Sequence, residues 1–243
     1  MELKGKKVLV VGAGKTGMTL TEFLAGKGAH VILNDKKPRP SDFTPPDPSI
    51  ETVWGGHPED LFLSADLVIL SPGVPSHLPA VEKARAHGIP VMGELELAIR
   101  FIDFPLIAIT GTNGKTTTTT LVGDMLKNAG IATFVGGNIG RPLLKAALSS
   151  KNYQWGVLEV SSFQLATAPD FHPRIAAILN MEPDHLDWHP TLDDYYQSKW
   201  AIAKNMTPEE ILVLYAPLAE KRPKNIRARI ETFDQESDPR HTA

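Results

Sequence analysis

Short apolar stretches rich in Val, Ile and Leu recur through the first half of the chain, at Lys7 to Val11, Val31 to Leu33, Leu67 to Leu70 and Ile89 to Met92. Between them, Gly17 to Lys27 and Leu78 to His87 carry apolar residues at helical spacing, as in Leu20, Phe23 and Leu24. Apolar strands separated by helices build a parallel sheet covered on both faces, so the fold class is α/β. The alternation resumes at Leu106 to Thr110, after a helix-like Glu94 to Ile102. Further strands are expected at Thr133 to Val135, Gly156 to Val160, Ile175 to Leu179 and Ile211 to Tyr215, with a helix over Tyr195 to Asn205. Pro38 to Pro48 holds five prolines and is expected as a surface loop, because Pro fixes φ and cannot donate to a sheet. The changeover falls near Asp103. Counting the helix-like stretch with the second series of strands gives domains at 1–93 and 94–243. The residues after Phe233 are polar and aperiodic, so the second domain is expected to stop before its sheet is complete.

Composition narrows the partners. Apolar residues make up 42% and charged residues 22% of the 243 residues, enough for a normal core. A net charge of −3 argues against a general nucleic-acid binder, so a polyanionic ligand needs local groups to hold it. No apolar stretch approaches the length of a membrane span, and no signal-peptide cleavage pattern follows the N-terminus. The absence of cysteine excludes thiolate metal sites and fits a reducing compartment. The expectation is a cytoplasmic protein with neither nucleic-acid nor membrane partner.

Two glycine loops carry most of the candidate chemistry. Gly12-Ala13-Gly14-Lys15-Thr16-Gly17 follows a strand and opens a helix, the setting in which glycines let a diphosphate approach backbone N–H groups. Asn34-Asp35 closes the next strand, where an acid meets a ribose or a base. This makes the first domain Rossmann-like. The plainer alternative is a glycine turn that only packs a helix on a sheet, and the motif leaves NAD, FAD and a UDP-sugar all open. The second loop, Gly111-Thr112-Asn113-Gly114-Lys115-Thr116-Thr117, also lies between strand and helix. Its amides can cradle phosphates, Lys115 can neutralise them and Thr116 can hold Mg²⁺. It is not a regular Walker A loop, since that pattern needs Gly where Ile109 stands. The second domain is thus expected to be an incomplete P-loop-type α/β domain that binds a nucleoside triphosphate.

Acids and histidines cluster at the ends of later strands. Glu159 follows an apolar stretch and precedes Val160-Ser161-Ser162-Phe163-Gln164-Leu165, a position from which a carboxylate can meet a magnesium ion. Asn180-Met181-Glu182-Pro183-Asp184-His185-Leu186-Asp187-Trp188-His189 comes after another strand. Alone it reads as a solvated loop as readily as a ligand site; beside a nucleotide loop and Glu159 it reads as a second magnesium site. Lys199, taken alone, is an ordinary surface lysine.

Together the Gly-Thr-Asn-Gly-Lys-Thr-Thr loop, the Glu-Val-Ser-Ser strand end and the Asn-x-x-x-Asp-His-Leu-Asp segment resemble the Mur ligases, over residues 1 to about 233. The Phe-Gln-Leu after the double serine, and the first loop with Asp35, are most similar to the branch that adds D-glutamate. The resemblance implies ATP-driven joining of D-glutamate to UDP-N-acetylmuramoyl-L-alanine through an acyl phosphate, by a monomer. It implies that Gly14, Lys15, Thr16, Gly17, Asp35, Lys36, Ser71 and Gly73 hold the UDP part and that Asn138 reaches the muramoyl region. It implies that Gly111 to Thr117 bind ATP, that Thr116 and Glu159 hold one Mg²⁺, and that His185 and a carbamylated Lys199 hold a second. Lys115, Glu159, His185 and Lys199 are the implied catalytic set. The chain departs from the family at Tyr215-Ala216-Pro217-Leu218, where an Asn-Ala-Asp-Asp-like stretch meets the adenine. The family's C-terminal amino-acid-binding domain is expected to be missing, and with it ligation by this chain alone. Alternatives are another Mur ligase, a folylpolyglutamate-type synthetase, an NAD(P) oxidoreductase read from the first loop alone, or a non-catalytic nucleotide-binding fragment.

Overall fold

The computed structural model describes residues 1–183 and 191–234. In chain order, the described elements begin with β1 (Lys7–Val11), α1 (Lys15–Gly26), β2 (His30–Asp35), β3 (Glu51–Trp54), α2 (Glu59–Leu63), β4 (Leu67–Leu70), α3 (Pro79–Ala86), β5 (Val91–Gly93) and α4 (Glu94–Ala98). They continue with β6 (Leu106–Thr110), α5 (Lys115–Asn128), β7 (Thr133–Gly137), α6 (Leu144–Ala147), β8 (Trp155–Glu159), α7 (Ser162–Leu165), β9 (Ile175–Ile178), α8 (Leu192–Trp200), β10 (Ile211–Tyr215), α9 (Ala216–Ala219) and β11 (Arg229–Phe233).

Two compact units result. The first comprises 1–102 together with 141–151 and 166–169. Its sheet has the order β3-β2-β1-β4-β5, and every pairing is parallel. The order reverses direction at β1, which makes the end of β1 the switch point where open sheets of this kind take ligands. Val8, Val10, Leu33, Val68 and Ile69 are fully buried, as expected of strands covered on both faces. Helix α4 lies in this unit rather than at the head of the second. Its glutamate Glu94 accepts a hydrogen bond from the backbone N–H of Leu144 (2.8 Å), tying the 141–151 segment into the same core.

The second unit comprises 103–140, 152–165 and 170–243, and its described strands form a parallel sheet of order β11-β10-β9-β6-β8-β7. Here the reversal falls at β6, directly before Gly111. Helix α5 buries only Thr119 and Gly123. A Cβ on Gly123 would lie 2.5 Å from Val135 Cγ2, so this small face is what lets the helix lie close on the sheet.

The expected strands and helices form, with shifts that have local causes. The strand expected at Ile89 to Met92 begins at Val91, because Pro90 has no N–H to give and serves only through its carbonyl, to Val68 N (2.9 Å). The helix expected to Ile102 ends at Ala98 and relaxes into turns. The helix expected over Tyr195 to Asn205 begins earlier, where Thr191 Oγ1 accepts from Asp194 N (3.1 Å), and after Trp200 it tightens into a 3₁₀ turn over Ala201–Ala203. Among the described residues no helix is long and apolar enough to cross a membrane.

Candidate functional site

In the first unit the loop after β1 is shaped by close backbone approach. Gly12 adopts φ 96°, and its N–H donates to Asn34 O (2.7 Å). A Cβ on Gly17 would stand 1.8 Å from Gly12 O, which no side chain can tolerate. Ser71, at the end of β4, donates from Oγ to that same carbonyl (3.0 Å). Asp35 binds the loop directly, its Oδ2 accepting from Ala13 N (2.8 Å) and its Oδ1 from Lys37 N (2.9 Å). Gly14 precedes α1 with no side-chain cap, and no acid stands in the first turn. The helix N-terminus therefore keeps its favourable field for an anion. Lys15, Lys36 and Gly73 are exposed, and Thr16 is half-buried. The set assigned to the UDP part thus gathers around one strand end, with the exception of Asn138, which belongs to the second unit.

In the second unit the loop after β6 is shaped by side chains. Gly114 takes a left-handed conformation before α5 (φ 81°), and Lys115 Nζ folds back on Thr112 O (2.8 Å). Glu159, only 2% exposed, joins two elements: Oε2 accepts from Thr116 Oγ1 (2.7 Å) and Oε1 from Asn138 Nδ2 (2.8 Å). Asn138 N also donates to Glu159 O (2.8 Å). Gly137, at φ 103°, makes this possible, since a Cβ there would lie 2.2 Å from that carbonyl. The result is a cavity of about 350 Å³ lined by Thr112 to Thr117, Asn138, Glu159 and Ser161 to Phe163. Backbone amides, one lysine and a buried carboxylate beside a hydroxyl suit a phosphate chain with a hard cation.

Donor chemistry decides which metal the site suits. Among the described residues no group of three or more His, Asp or Glu converges as a metal cage. Thr116 Oγ1 and Glu159 Oε2 nevertheless bring two hard oxygens to one point, which fits Mg²⁺, an ion that takes one or two protein oxygens and completes its shell with phosphate and water. Lys199 is not a surface lysine. It is 2% exposed, its Nζ donates to Gly111 O (2.9 Å) and lies 4.5 Å from the centre of the Tyr195 ring. His185, with Asp184, lies outside the described residues.

One residue read in the sequence only as the head of the acid-rich segment proves to be a partner of the second loop. Asn180 Oδ1 accepts from both Thr112 N and Asn113 N (2.8 Å each), while Nδ2 donates to Asn113 O (3.1 Å). Thr112 Oγ1 accepts from Glu182 N (2.9 Å). The only signal for this latch was that Asn180 opens the acid-rich segment after a strand. Two carboxyls elsewhere titrate unusually. Burial pushes Glu94 up to about 7 against the one hydrogen bond from Leu144. Burial also acts to raise Glu210, but hydrogen bonds from His172 and from Thr207 outweigh it and hold the carboxyl at about 2.

Two parallel sheets, each with a glycine loop at its point of reversal, define an α/β protein of two open-sheet units. Residues 109–241 match the family model of the Mur ligase middle domain, and residues 6–93 match that of the Mur ligase MurD-like N-terminal domain. The chain belongs to the Mur ligase family. It is 44% identical to UDP-N-acetylmuramoylalanine--D-glutamate ligase of Koribacter versatilis over 99% of this chain and 54% of that protein. It is 47% identical to the enzyme of the same name from Alkaliphilus oremlandii, over 88% of this chain and 48% of that protein. The chain spans about half the length of these curated relatives. Among solved structures, the UDP-N-acetylmuramate:L-alanyl-gamma-D-glutamyl-meso-diaminopimelate ligase of Neisseria meningitides shares the fold, with TM-score 0.59 at 18% identity over 93% of this chain and 78% of that one. The UDP-N-acetylmuramate-alanine ligase of Thermotoga maritima gives TM-score 0.51 at 22% identity, over 96% of this chain and 53% of that one.

Proposed function

We propose that this chain carries the nucleotide-sugar-binding and ATP-binding parts of a cytoplasmic ligase that joins D-glutamate to UDP-N-acetylmuramoyl-L-alanine in peptidoglycan precursor synthesis. The observation that carries the reading is the cavity that Lys115 lines together with the joined set Thr116, Glu159 and Asn138. The names of the relatives supply the substrates. In this reading residues 1–93, with Gly14 to Gly17, Asp35, Lys36, Ser71 and Gly73, hold the UDP part. The second unit holds ATP, and the acceptor carboxylate attacks its γ-phosphorus. Lys115 turns from Thr112 O to the β- and γ-phosphates and offsets charge as the phosphoryl group moves. Loop amides hold the phosphate chain in line, and Asn138 fixes the Glu159 carboxylate.

Thr116 and Glu159 would hold Mg²⁺, which would polarise the phosphoryl oxygens. His185 and Lys199 would hold a second Mg²⁺, with Lys199 as the carbamate that its neutral amine forms with dissolved CO2 on losing a proton, an oxygen donor in place of an ammonium. D-glutamate then displaces phosphate from the acyl phosphate. The protein works as a monomer, without nucleic acid or membrane.

Calorimetric titration of the 243-residue chain tests this. Mg·ATP and UDP-N-acetylmuramoyl-L-alanine are expected to bind at separate, saturable sites, and NAD is not. Binding of NAD in place of the UDP-sugar overturns the assignment of the first unit; indifference to Mg·ATP overturns that of the second.

A further inference from the structure

The loop after β6 holds a reactive pair of residues. Of the eight asparagines in the chain, Asn113 alone is followed by glycine. The side-chain carbonyl carbon of an asparagine lies one ring closure from the next backbone nitrogen, and the side chain of the following residue ordinarily obstructs that closure. Gly114 has no side chain to obstruct it. Asn113 and Gly114 are both exposed, and the Gly114 N–H has no partner among the described residues. It stands at the head of α5, where the positive end of the helix favours a nitrogen that has given up its proton.

Two restraints oppose the closure. Asn113 Nδ2 donates to Glu182 Oε2 (3.2 Å), an exposed bond whose breaking slows a reaction by no more than about tenfold. Asn180 holds the Asn113 backbone, accepting from its N–H (2.8 Å) and donating to its carbonyl (3.1 Å). Neither restraint engages Gly114 N, the atom that attacks.

We propose that Asn113 is a site of spontaneous deamidation, and that a phosphate ligand seated on the loop protects it. Gly114 N gives its proton to solvent and bonds to Asn113 Cγ; the Cγ–Nδ2 bond breaks and ammonia leaves. Water then opens the ring. Cleavage between Gly114 N and Cγ yields aspartate. Cleavage between Gly114 N and the former backbone carbonyl yields isoaspartate, with the main chain running through the side-chain carbon. Water is consumed, ammonia is released, and nothing is oxidised or reduced. Either product spoils the loop. A carboxylate at 113 faces Glu182 where an amide had donated, and it adds negative charge to the cavity that Lys115 lines. Isoaspartate also takes the Asn113 carbonyl out of the main chain and so breaks its bond from Asn180. A phosphate accepting from the Gly114 N–H keeps the proton on the attacking nitrogen. An empty molecule therefore ages at the place where it binds, and an occupied one is spared. The protection, though not the reaction, rests on the ATP reading given above.

Incubation of the full chain in mildly alkaline buffer, with and without saturating Mg·ATP, tests it, followed by peptide mass mapping that separates aspartate from isoaspartate. Without nucleotide, Asn113 is expected to convert ahead of the exposed Asn128, Asn152 and Asn225, with isoaspartate among the products. Mg·ATP is expected to slow the conversion by about tenfold or more, the worth of one held hydrogen bond. Asn113→Asp, made directly, is expected to bind Mg·ATP about tenfold more weakly than the unsubstituted chain. The mapping needs no variant, so it decides the matter even if Asn113→Asp fails to fold. Conversion at Asn113 no faster than at the other exposed asparagines overturns the site. An equal rate with Mg·ATP shown by calorimetry to be bound overturns the protection, and an unaltered affinity in Asn113→Asp overturns the harm to binding. Failure of fresh chain to bind Mg·ATP overturns the underlying nucleotide reading instead, and the rates measured without nucleotide still decide the site.

Discussion

The loop after β1 and the loop after β6 occupy equivalent places, each at the reversal point of a parallel sheet and each opening a helix. Their means differ. The first is held by contact between backbones, with Gly17 against Gly12 O and one carboxylate, Asp35, spent on two amides. The second is held by side chains. Lys115 covers a loop carbonyl, Asn180 occupies two loop amides, and Glu159 gathers Thr116 and Asn138. A bridging diphosphate needs shape and amides, whereas a terminal triphosphate carries more charge and must be neutralised as it reacts. The contrast teaches that a glycine pattern alone says little about what is bound. The residues that answer the loop from neighbouring strands say more.

The largest effect expected from breaking this contrast is at Gly17. Gly17→Ala should cost the first unit about 1–3 kcal/mol through overpacking and abolish detectable UDP-sugar binding. Gly14→Ala, with nothing within 4 Å of the added carbon, should leave stability nearly unchanged. Denaturant titration followed at Trp54, together with calorimetry, distinguishes them; equal behaviour of the two variants would mean that the crowding at Gly17 is relieved in solution. Next in size, Lys115→Ala should weaken Mg·ATP binding by about ten- to a hundredfold, as befits a lost charge-assisted contact, and leave UDP-sugar affinity unchanged. An unaltered ATP affinity would remove Lys115 from the site.

A third expectation sets the units against each other in pH. Glu94, in the first unit, has its folded pKa raised from 4.5 to about 7. Its share of stability is therefore complete below pH 4.5 and falls as pH rises to 7. Glu94→Gln, which keeps an acceptor for Leu144 N, should stabilise the chain by up to about 3 kcal/mol above pH 7 and by nothing at pH 4. Glu210, in the second unit, has its pKa lowered from 4.5 to about 2. Its contribution is present above pH 4.5 and is lost as pH falls toward 2, so Glu210→Gln should destabilise the chain at neutral pH and make no difference near pH 2. Stability curves of the same sign for both variants would contradict this reading. The smallest effect belongs to the exposed Lys83–Glu59 pair (2.5 Å), where Glu59→Ala should cost under about 1 kcal/mol and less in high salt.

Legibility in the sequence tracked burial. Strands covered on both faces, such as β1, β4 and β6, announce themselves as unbroken apolar stretches, and all three begin and end where the pattern puts them. The two strands that the pattern missed, β3 and β11, are both edge strands with half-exposed or exposed side chains. Nothing in Glu51-Thr52-Val53-Trp54 or Arg229-Ile230-Glu231-Thr232-Phe233 demands a sheet until a neighbour offers one. The candidate site divides in the same way. Gly12 to Gly17, Gly111 to Thr117 and Glu159 were visible because glycine spacing and strand-end acids carry their own meaning. Asn180 was visible as the head of the acid-rich segment, but its hold on Thr112 N and Asn113 N reaches far back along the chain and no local pattern announces it. Lys199 is the sharpest case, since a lysine on a helix reads as solvated and only packing reveals it as buried.

The membership of 141–151 and 166–169 in the first unit bears on how such a protein can be cut and inherited. A gene segment ending after Ile102 would encode every strand of the first sheet and still omit part of its core. Glu94 would lose the Leu144 amide, and Gly93, whose N–H donates to Thr167 O (2.9 Å), would lose that partner too. The first unit is therefore not a module that recombination can lift out at a single linker. Its reading frame is threaded through that of its neighbour, so a swap of one ligand-binding half for a foreign one must carry three separate stretches of sequence together.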